Sequence, residues 1–238
     1  MKKVLIITVS VLVALAGSAA LFVYTTMWPM KTAQIEDDFW GITEGFVTLF
    51  IVKGGSGYIA FDTGMATDAV ESRLGAFGID PIQVNFVFLT HSDTDHSGGI
   101  SLFPNATVYL PELEEPMVLG QDSRYFFGRP ASGRNKALIS RGYRLLPVNE
   151  KIEVDGVQIQ SVSVPGHSPG STAYIVNNRY AIVGDMAVVA GKKLKPLPSF
   201  INNDQNLAKE TVAAFWDEYS DLDVIATAHD GILRLKGK

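Results

Sequence analysis

From residue 46 onward, apolar residues occur in short runs separated by turn residues such as Gly54-Gly55 and Asp80-Pro81. This pattern is typical of β-strands. The predicted strands cover residues 47–52, 58–62, 86–90, 107–110, 157–164, 172–176, 180–183 and 224–228. Two other stretches repeat apolar residues at helical spacing, which predicts helices over residues 67–77 and 207–219. Many strands and few helices indicate an α/β fold in which helices cover sheets.

The N-terminal segment has a different pattern, because residues 4–30 carry no charge and follow two lysines. At about 1.5 Å per residue, its most apolar part is long enough to cross a bilayer as a helix. Residues 16–20 offer a signal-peptidase site, but the apolar run continues to Tyr24. We therefore predict one transmembrane helix within residues 1–30 that anchors the chain in the cell membrane with its remainder extracytoplasmic. The alternative is that residues 1–30 contain a signal peptide that is cleaved, so that the protein is secreted.

The remaining chain is predicted to contain one domain. Residues 31–45 are predicted as a linker and residues 46–238 as the folded domain, since 47% hydrophobic content supports a sizeable core. Within the domain, residues 112–149 are less regular and resemble a lid or substrate loop.

Composition excludes several kinds of chemistry. The net charge of −5 and the lack of a long Lys/Arg run argue against a nucleic-acid partner. The absence of cysteine excludes disulfides, cysteine-bound zinc and a thiol nucleophile. Any metal must therefore be bound by histidines and carboxylates.

All four histidines lie just after an apolar, strand-like run, in a polar or glycine-rich turn: His91, His96, His167 and His229. The first two share their loop with Asp93 and Asp95, so that one strand end could supply four donors. Gly98-Gly99 follows and allows a tight turn.

These residues carry a family resemblance. The run Leu89-Thr90-His91-Ser92-Asp93-Thr94-Asp95-His96-Ser97-Gly98-Gly99 resembles the His-x-His-x-Asp-His signature of the metallo-β-lactamase superfamily, with Asp93 at its third position instead of histidine. Further motifs of the family occur in its order: Asp62-Thr63-Gly64, Pro165-Gly166-His167-Ser168-Pro169-Gly170-Ser171, Gly184-Asp185 and Ala228-His229-Asp230. The resemblance covers residues 46–233.

The resemblance implies a four-layer αββα sandwich with two divalent metal ions. It implies two ligand sets that share Asp185: His91, Asp93 and His167 for one ion, and Asp95, His96 and His229 for the other. Asp95 is also the candidate catalytic residue. Imidazole and carboxylate ligands suit zinc, with manganese or iron as alternatives.

Asp93 changes the charge of this implied site. Three carboxylates and a bridging hydroxide carry four negative charges, which cancel the four positive charges of two divalent ions. With a neutral histidine at position 93, the site would keep one net positive charge. Our hypothesis is that the neutral cluster favours harder metals such as manganese or iron alongside zinc, and raises the pKa of the bound water.

The function predicted from the resemblance is hydrolysis of a small-molecule ester, lactone, thioester or amide by a metal-bridging hydroxide. A non-catalytic metal-binding or sensor protein of the same fold is the alternative. A lesser alternative is an aspartic-protease-like homodimer, because Asp62-Thr63-Gly64 is also the triplet of those enzymes. Two roles are open for a group of lysines that follows Asp185: contact with an anionic group of the substrate, or a solvated surface turn. These are Lys192, Lys193 and Lys195.

Overall fold

The computed structural model describes residues 29–65, 68–126, 129–130 and 133–236. The transmembrane helix predicted within residues 1–30 falls on positions outside these ranges, apart from the last two. Within them, no helix is both long and apolar enough to cross a bilayer.

Seven strands form the first sheet. In spatial order they are β1 (Ala33–Glu36), β2 (Phe39–Glu44), β3 (Val47–Lys53), β4 (Tyr58–Phe61), β5 (Val84–Phe88), β6 (Thr107–Pro111) and β9 (Arg144–Leu146). Neighbours from β1 to β4 are antiparallel, and those from β4 to β9 are parallel. Residues 33–44, predicted within a linker, therefore contribute two strands. Phe39 and Ile42 are fully buried there, which makes this segment part of the core.

Six strands form the second sheet. In spatial order they are β10 (Lys151–Val154), β11 (Val157–Ser163), β12 (Thr172–Val176), β13 (Tyr180–Ile182), β16 (Val224–Thr227) and β17 (Gly231–Arg234). All neighbours are antiparallel except β13 and β16, which are parallel. Two hairpins complete the strands: β7 (Tyr125–Phe126) with β8 (Arg129–Pro130), and β14 (Val188–Ala190) with β15 (Lys193–Lys195).

The two sheets pack face to face around an aromatic core. Phe39 of the first sheet stacks on Tyr180 of the second at 4.6 Å between ring centroids, and Phe61 contacts Tyr174 at 5.4 Å. Burial of such large rings is a main source of folding free energy. The central two layers of the sandwich are thus joined by interdigitated side chains.

Helices cover the outer faces. The α-helices are α1 (Asp68–Gly75), α2 (Thr94–Ser97), α3 (Glu115–Val118), α4 (Lys136–Arg141) and α5 (Gln205–Tyr219). Buried residues of α1 and α4 pack on the first sheet, and those of α5 pack on the second. Asp204 caps α5 by accepting hydrogen bonds from the backbone N–H groups of Asn206 and Leu207. The layers follow the αββα order implied by the resemblance.

Candidate metal centre

The predicted site residues all follow the carboxyl ends of strands at one end of the sandwich. The loop after β5 carries four of them, and the segments after β11, β13 and β16 carry one each. The structure brings all seven together: His91, Asp93, Asp95, His96, His167, Asp185 and His229. Parallel pairing of β13 with β16 explains why Asp185 and His229, far apart in sequence, are neighbours.

Asp62 holds the loop after β5 in place through buried hydrogen bonds. It follows β4 in a left-handed conformation (φ 62°), which is strained for a residue other than glycine. Its carboxylate accepts hydrogen bonds from Thr90 N at 2.7 Å, Thr90 Oγ1 at 2.9 Å and His96 Nδ1 at 2.8 Å. Asp62 is 2% exposed. This buried supporting role does not fit the aspartic-protease alternative, which requires the carboxylate at an open cleft.

The Nδ1 atoms of three histidines face away from the centre of the site. Besides His96, His229 Nδ1 donates to the carbonyl oxygen of Phe46 at 2.6 Å. His91 Nδ1 lies 3.0 Å from Thr90 Oγ1, whose proton goes to Asp62. Each contact assigns the ring proton to Nδ1 and leaves the Nε2 lone pair for a metal.

Asp185 lies between three of these rings. Its Oδ1 is 3.2 Å from His96 Nε2 and 3.0 Å from His229 Nε2, while its Oδ2 is 3.5 Å from His167 Nε2. Gly184 makes this placement possible, because it has φ 51° and a Cβ there would lie 2.5 Å from Thr90 Oγ1.

The two other carboxylates lie on opposite sides of Asp185. Asp93 Oδ2 is 3.7 Å from His91 Nε2 and 3.5 Å from His167 Nε2. Asp95 Oδ2 is 3.6 Å from His96 Nε2 and 3.5 Å from His229 Nε2. The carboxylates therefore separate the histidines into the two pairs that the resemblance implies.

The donor atoms fit a pair of divalent ions. Potential ligand atoms lie within 4.8 Å of one another in three overlapping groups: His91, Asp93 and His167; Asp95, His96 and His229; and His91, His96 and Asp185. The Nε2 atoms of His91, His96 and His167 are buried without a hydrogen-bond partner. Because unsatisfied buried polar atoms cost free energy, their convergence indicates a metal site.

Burial and charge shift the pKa values in opposite directions. Burial alone would raise the pKa of Asp185, but the charges of His229, His96 and His167 outweigh it and hold the pKa well below its usual value. The pKa of Asp93 is lowered in the same way by His167 and His91.

Among the histidines, burial lowers the pKa of His167, which keeps this ring neutral and ready to ligate. Burial also opposes the charged forms of His96 and His229, yet Asp185 and the other carboxylates raise the pKa of both. The raised pKa values mean that protons compete with a metal for these two rings.

Two further residues of the site were not predicted from the sequence. Glu114 is fully buried and accepts hydrogen bonds from two of the ligand-bearing loops, those after β5 and β11. Arg124 forms an ion pair with Asp93. Both lie in the irregular segment 112–149, where no periodicity or motif distinguishes them from surface residues.

A cavity of about 710 Å³ borders Asp93 and Asp95. The predicted lid or substrate segment supplies much of its wall, including Met117, Arg124 and Arg134. Lys193 and Lys195 instead line a separate groove against α5.

The sequence profile of the metallo-β-lactamase superfamily matches residues 42–229. The chain belongs to this superfamily. Among curated relatives, N-acyl homoserine lactonase AttM of Azorhizobium caulinodans is 31% identical over 111 residues, which cover 44% of this chain and 40% of the relative. The 2,4-dinitroanisole O-demethylase subunit alpha of a Nocardioides species is 26% identical over 72% of this chain and 50% of the relative. The chain thus matches half or less of the length of these two superfamily relatives.

Solved structures of superfamily members have the same fold. A metallo-β-lactamase of Cronobacter sakazakii with a HARLDQ motif has a TM-score of 0.63 at 18% identity, covering 87% of this chain and 81% of the other. BJP-1, a subclass B3 metallo-β-lactamase of Bradyrhizobium japonicum, has a TM-score of 0.58 at 18% identity, covering 85% of this chain and 79% of the other. At such identities the similarity establishes the α/β sandwich fold.

Proposed function

We propose that this protein is a metal-dependent hydrolase acting on an ester, lactone, thioester or amide of a small molecule. The observation that carries the proposal is the convergence of four histidines and three aspartates, with three buried Nε2 atoms left without hydrogen-bond partners. Membership of the superfamily and a relative named as a lactonase support hydrolysis at the family level.

In this proposal His91, Asp93 and His167 would hold one divalent ion and Asp95, His96 and His229 another, zinc in the first instance, and Asp185 belongs to both ligand sets that the resemblance implies. When bound, they would supply Lewis acidity and activate water for attack on a carbonyl group. The hydrogen bonds of Asp62 to His96 and of Phe46 O to His229 hold these rings in the ligating tautomer.

Asp95 is the residue that we propose to carry a proton during hydrolysis. It borders the cavity and its side chain is 22% exposed, so that it can reach both substrate and water. Water oxygen bonds to the carbonyl carbon, the bond to the leaving group breaks, and the proton lost by water passes through an Asp95 oxygen to the leaving group. Proton transfer by a positioned carboxylate of this kind contributes about 10²–10⁴-fold to rate.

The cavity favours a small molecule over a polymer. Its volume of about 710 Å³ lies within the range of ligand pockets. Met65, Met117 and Val118 provide apolar contacts, and Arg134 and Lys136 provide positive charge at its rim.

The test is to purify the full-length protein, quantify its metals, and measure hydrolysis of a lactone, a thioester, a phosphodiester and a cephalosporin before and after chelation. We expect two metal ions per chain, turnover of at least one carbonyl substrate, loss of that turnover on chelation, and recovery when zinc is returned. Asp95→Asn should lower kcat strongly, whereas Asp221→Asn, an exposed carboxylate elsewhere on the surface, should not.

Each failure has a distinct meaning. Protein that binds metal but hydrolyses none of the four substrates would favour the non-catalytic alternative. Protein that binds no metal would refute the proposed function.

A further inference from the structure

Arg124 contacts the one motif position at which this chain departs from the family signature. One terminal nitrogen of its guanidinium forms an ion pair with Asp93 Oδ2, and the other donates to the carbonyl oxygen of Ile201 at 2.6 Å. Both side chains of the ion pair are only 12% exposed. Charge-assisted hydrogen bonds shielded from water are stronger and better ordered than surface ion pairs. The guanidinium is therefore an integral part of the site.

The second partner of Arg124 lies on a segment that also supports the His167 loop. Asn203 N donates to the carbonyl oxygen of His167 at 3.2 Å, and Asp204 N donates to that of Gly166 at 2.9 Å. Arg124 thus connects Asp93 to the segment that holds His167. These are the two residues that share one ligand group with His91.

The ion pair also balances charge. A neutral histidine ligand at position 93 would bring no charge, whereas Asp93 brings one negative charge. The guanidinium of Arg124 is permanently positive. Together Asp93 and Arg124 contribute the same net charge as the histidine that they replace.

We propose that Arg124 is a positioning residue for Asp93: it orients the carboxylate toward the metal site and restores the positive charge that the carboxylate removes. The proposal rests on the proposed metal-binding function. A carboxylate has about four lone-pair sites, so that Asp93 can accept from Arg124 and still ligate a metal. Once Arg124 is counted, the charge argument that Asp93 favours manganese or iron no longer holds, and zinc is the expected metal.

The test is a double-mutant cycle in the full-length protein with Zn²⁺ as the only ligand. Zinc stoichiometry and affinity are measured by competition with a chromophoric chelator for the wild type, Arg124→Ala, Asp93→His and the double variant. We expect Arg124→Ala to weaken the affected zinc by about 10- to 100-fold, the usual effect of removing a residue that orients a ligand. Asp93→His alone should also weaken zinc binding, because the guanidinium then faces the metal without its carboxylate.

The double variant is the decisive protein of the cycle. Removing Arg124 from the Asp93→His background should strengthen zinc binding, with a coupling of about tenfold or more between the two positions. Arg124→Lys keeps the positive charge but cannot contact Asp93 and the Ile201 carbonyl oxygen through two separate nitrogens. Its zinc affinity should therefore lie between those of Arg124→Ala and the wild type. Arg144→Ala removes an exposed cation of β9 that does not line the cavity, and should leave zinc affinity unchanged.

Urea midpoints of all variants show whether each one is folded. Additive losses in the cycle would overturn the inference. So would an Arg124→Ala protein with normal zinc binding and a raised KM for anionic substrates, since Arg124 would then be a substrate contact. A wild-type protein without zinc would instead refute the proposed function itself.

Discussion

At the scale of single residues, the arrangement of the candidate ligands depends on a buried carboxylate that is not itself a candidate ligand. One oxygen of Glu114 accepts from Ser92 N at 2.9 Å and Ser92 Oγ at 2.7 Å. The other accepts from Ser168 Oγ at 2.5 Å and Gly170 N at 3.1 Å. Ser92 is adjacent to two candidate ligands and Ser168 to a third, so that Glu114 sets the relative position of the two loops.

Glu114→Gln tests this role with almost no change in shape. The amide NH2 would face donors where an oxygen now accepts, and an unsatisfied buried donor costs about 1–3 kcal/mol. We expect a loss of about that size in the free energy of unfolding, measured by urea denaturation, and weaker zinc binding in a competition titration.

The matched control for this prediction is Glu115→Gln, one residue along the chain, where the amide oxygen can still accept from Tyr143 Oη. Equal effects of the two substitutions would show that Glu114 has no special role in joining the loops.

At the scale of elements, regular periodicity predicted most of the central strands and both longer helices, but neither the strands at the sheet edges nor β2, which lies between β1 and β3. The helix predicted for residues 207–219 is α5 (Gln205–Tyr219), and the strand predicted for residues 172–176 is β12. β2 lies within the segment predicted as a linker, because its sequence lacks the apolar and polar alternation that marks a half-exposed strand. Almost every residue of β2 is buried in the fold, which explains why this alternation is absent. Its burial depends on residues distant in sequence.

The same reasoning explains which site residues were predicted. The seven histidines and aspartates occur in compact motifs, and metal ligation restricts residue type, so that sequence alone could group them as one candidate ligand set. Glu114 acts through hydrogen bonds to residues 22 and 56 positions away, and Arg124 through a bond to a residue 77 positions away. Neither contact leaves a local pattern.

Another contact between elements joins the two sheets at the end opposite the metal centre. Asp155, in the turn between β10 and β11, accepts hydrogen bonds from Ser56 N at 3.0 Å and Ser56 Oγ at 2.8 Å in the turn between β3 and β4. The hydrogen bond from the backbone of Ser56 is the main cause of the lowered pKa of Asp155.

This lowered pKa predicts a pH-dependent contribution to stability. The ionised carboxylate stabilises the folded state above its unfolded pKa of about 3.9, and that stabilisation is lost as the pH falls through the lower folded value. Asp155→Asn should therefore lower the urea midpoint at pH 7 and lower it progressively less below about pH 4. Asp221→Asn serves as the control. A difference from wild type that stays constant down to pH 3 would contradict an ionic origin.

At the scale of the whole molecule, the candidate metal centre draws its residues from both sheets of the sandwich. Four candidate ligands follow β5 of the first sheet: His91, Asp93, Asp95 and His96. Three follow strands of the second sheet: His167, Asp185 and His229. A metal ion bound by residues from both sheets would link the two sheets at this end of the sandwich. The contact between Asp155 and Ser56 links them at the opposite end.

Metal removal should consequently destabilise the entire domain. A ligand present at 100 to 1,000 times its Kd stabilises the folded state by about 3–4 kcal/mol. For a domain of this size that corresponds to a rise in Tm of roughly 5–16 °C, which chelation should remove and added zinc should restore in a calorimetric scan. The matched control is the triple variant His167→Ala, Asp185→Ala, His229→Ala, which leaves the four candidate ligands after β5 intact but removes all three that follow strands of the second sheet. This variant should unfold at nearly the same temperature with and without chelator, because metals held by the first sheet alone cannot join the halves. An equal chelator response in both proteins would place the stabilising metal outside this centre.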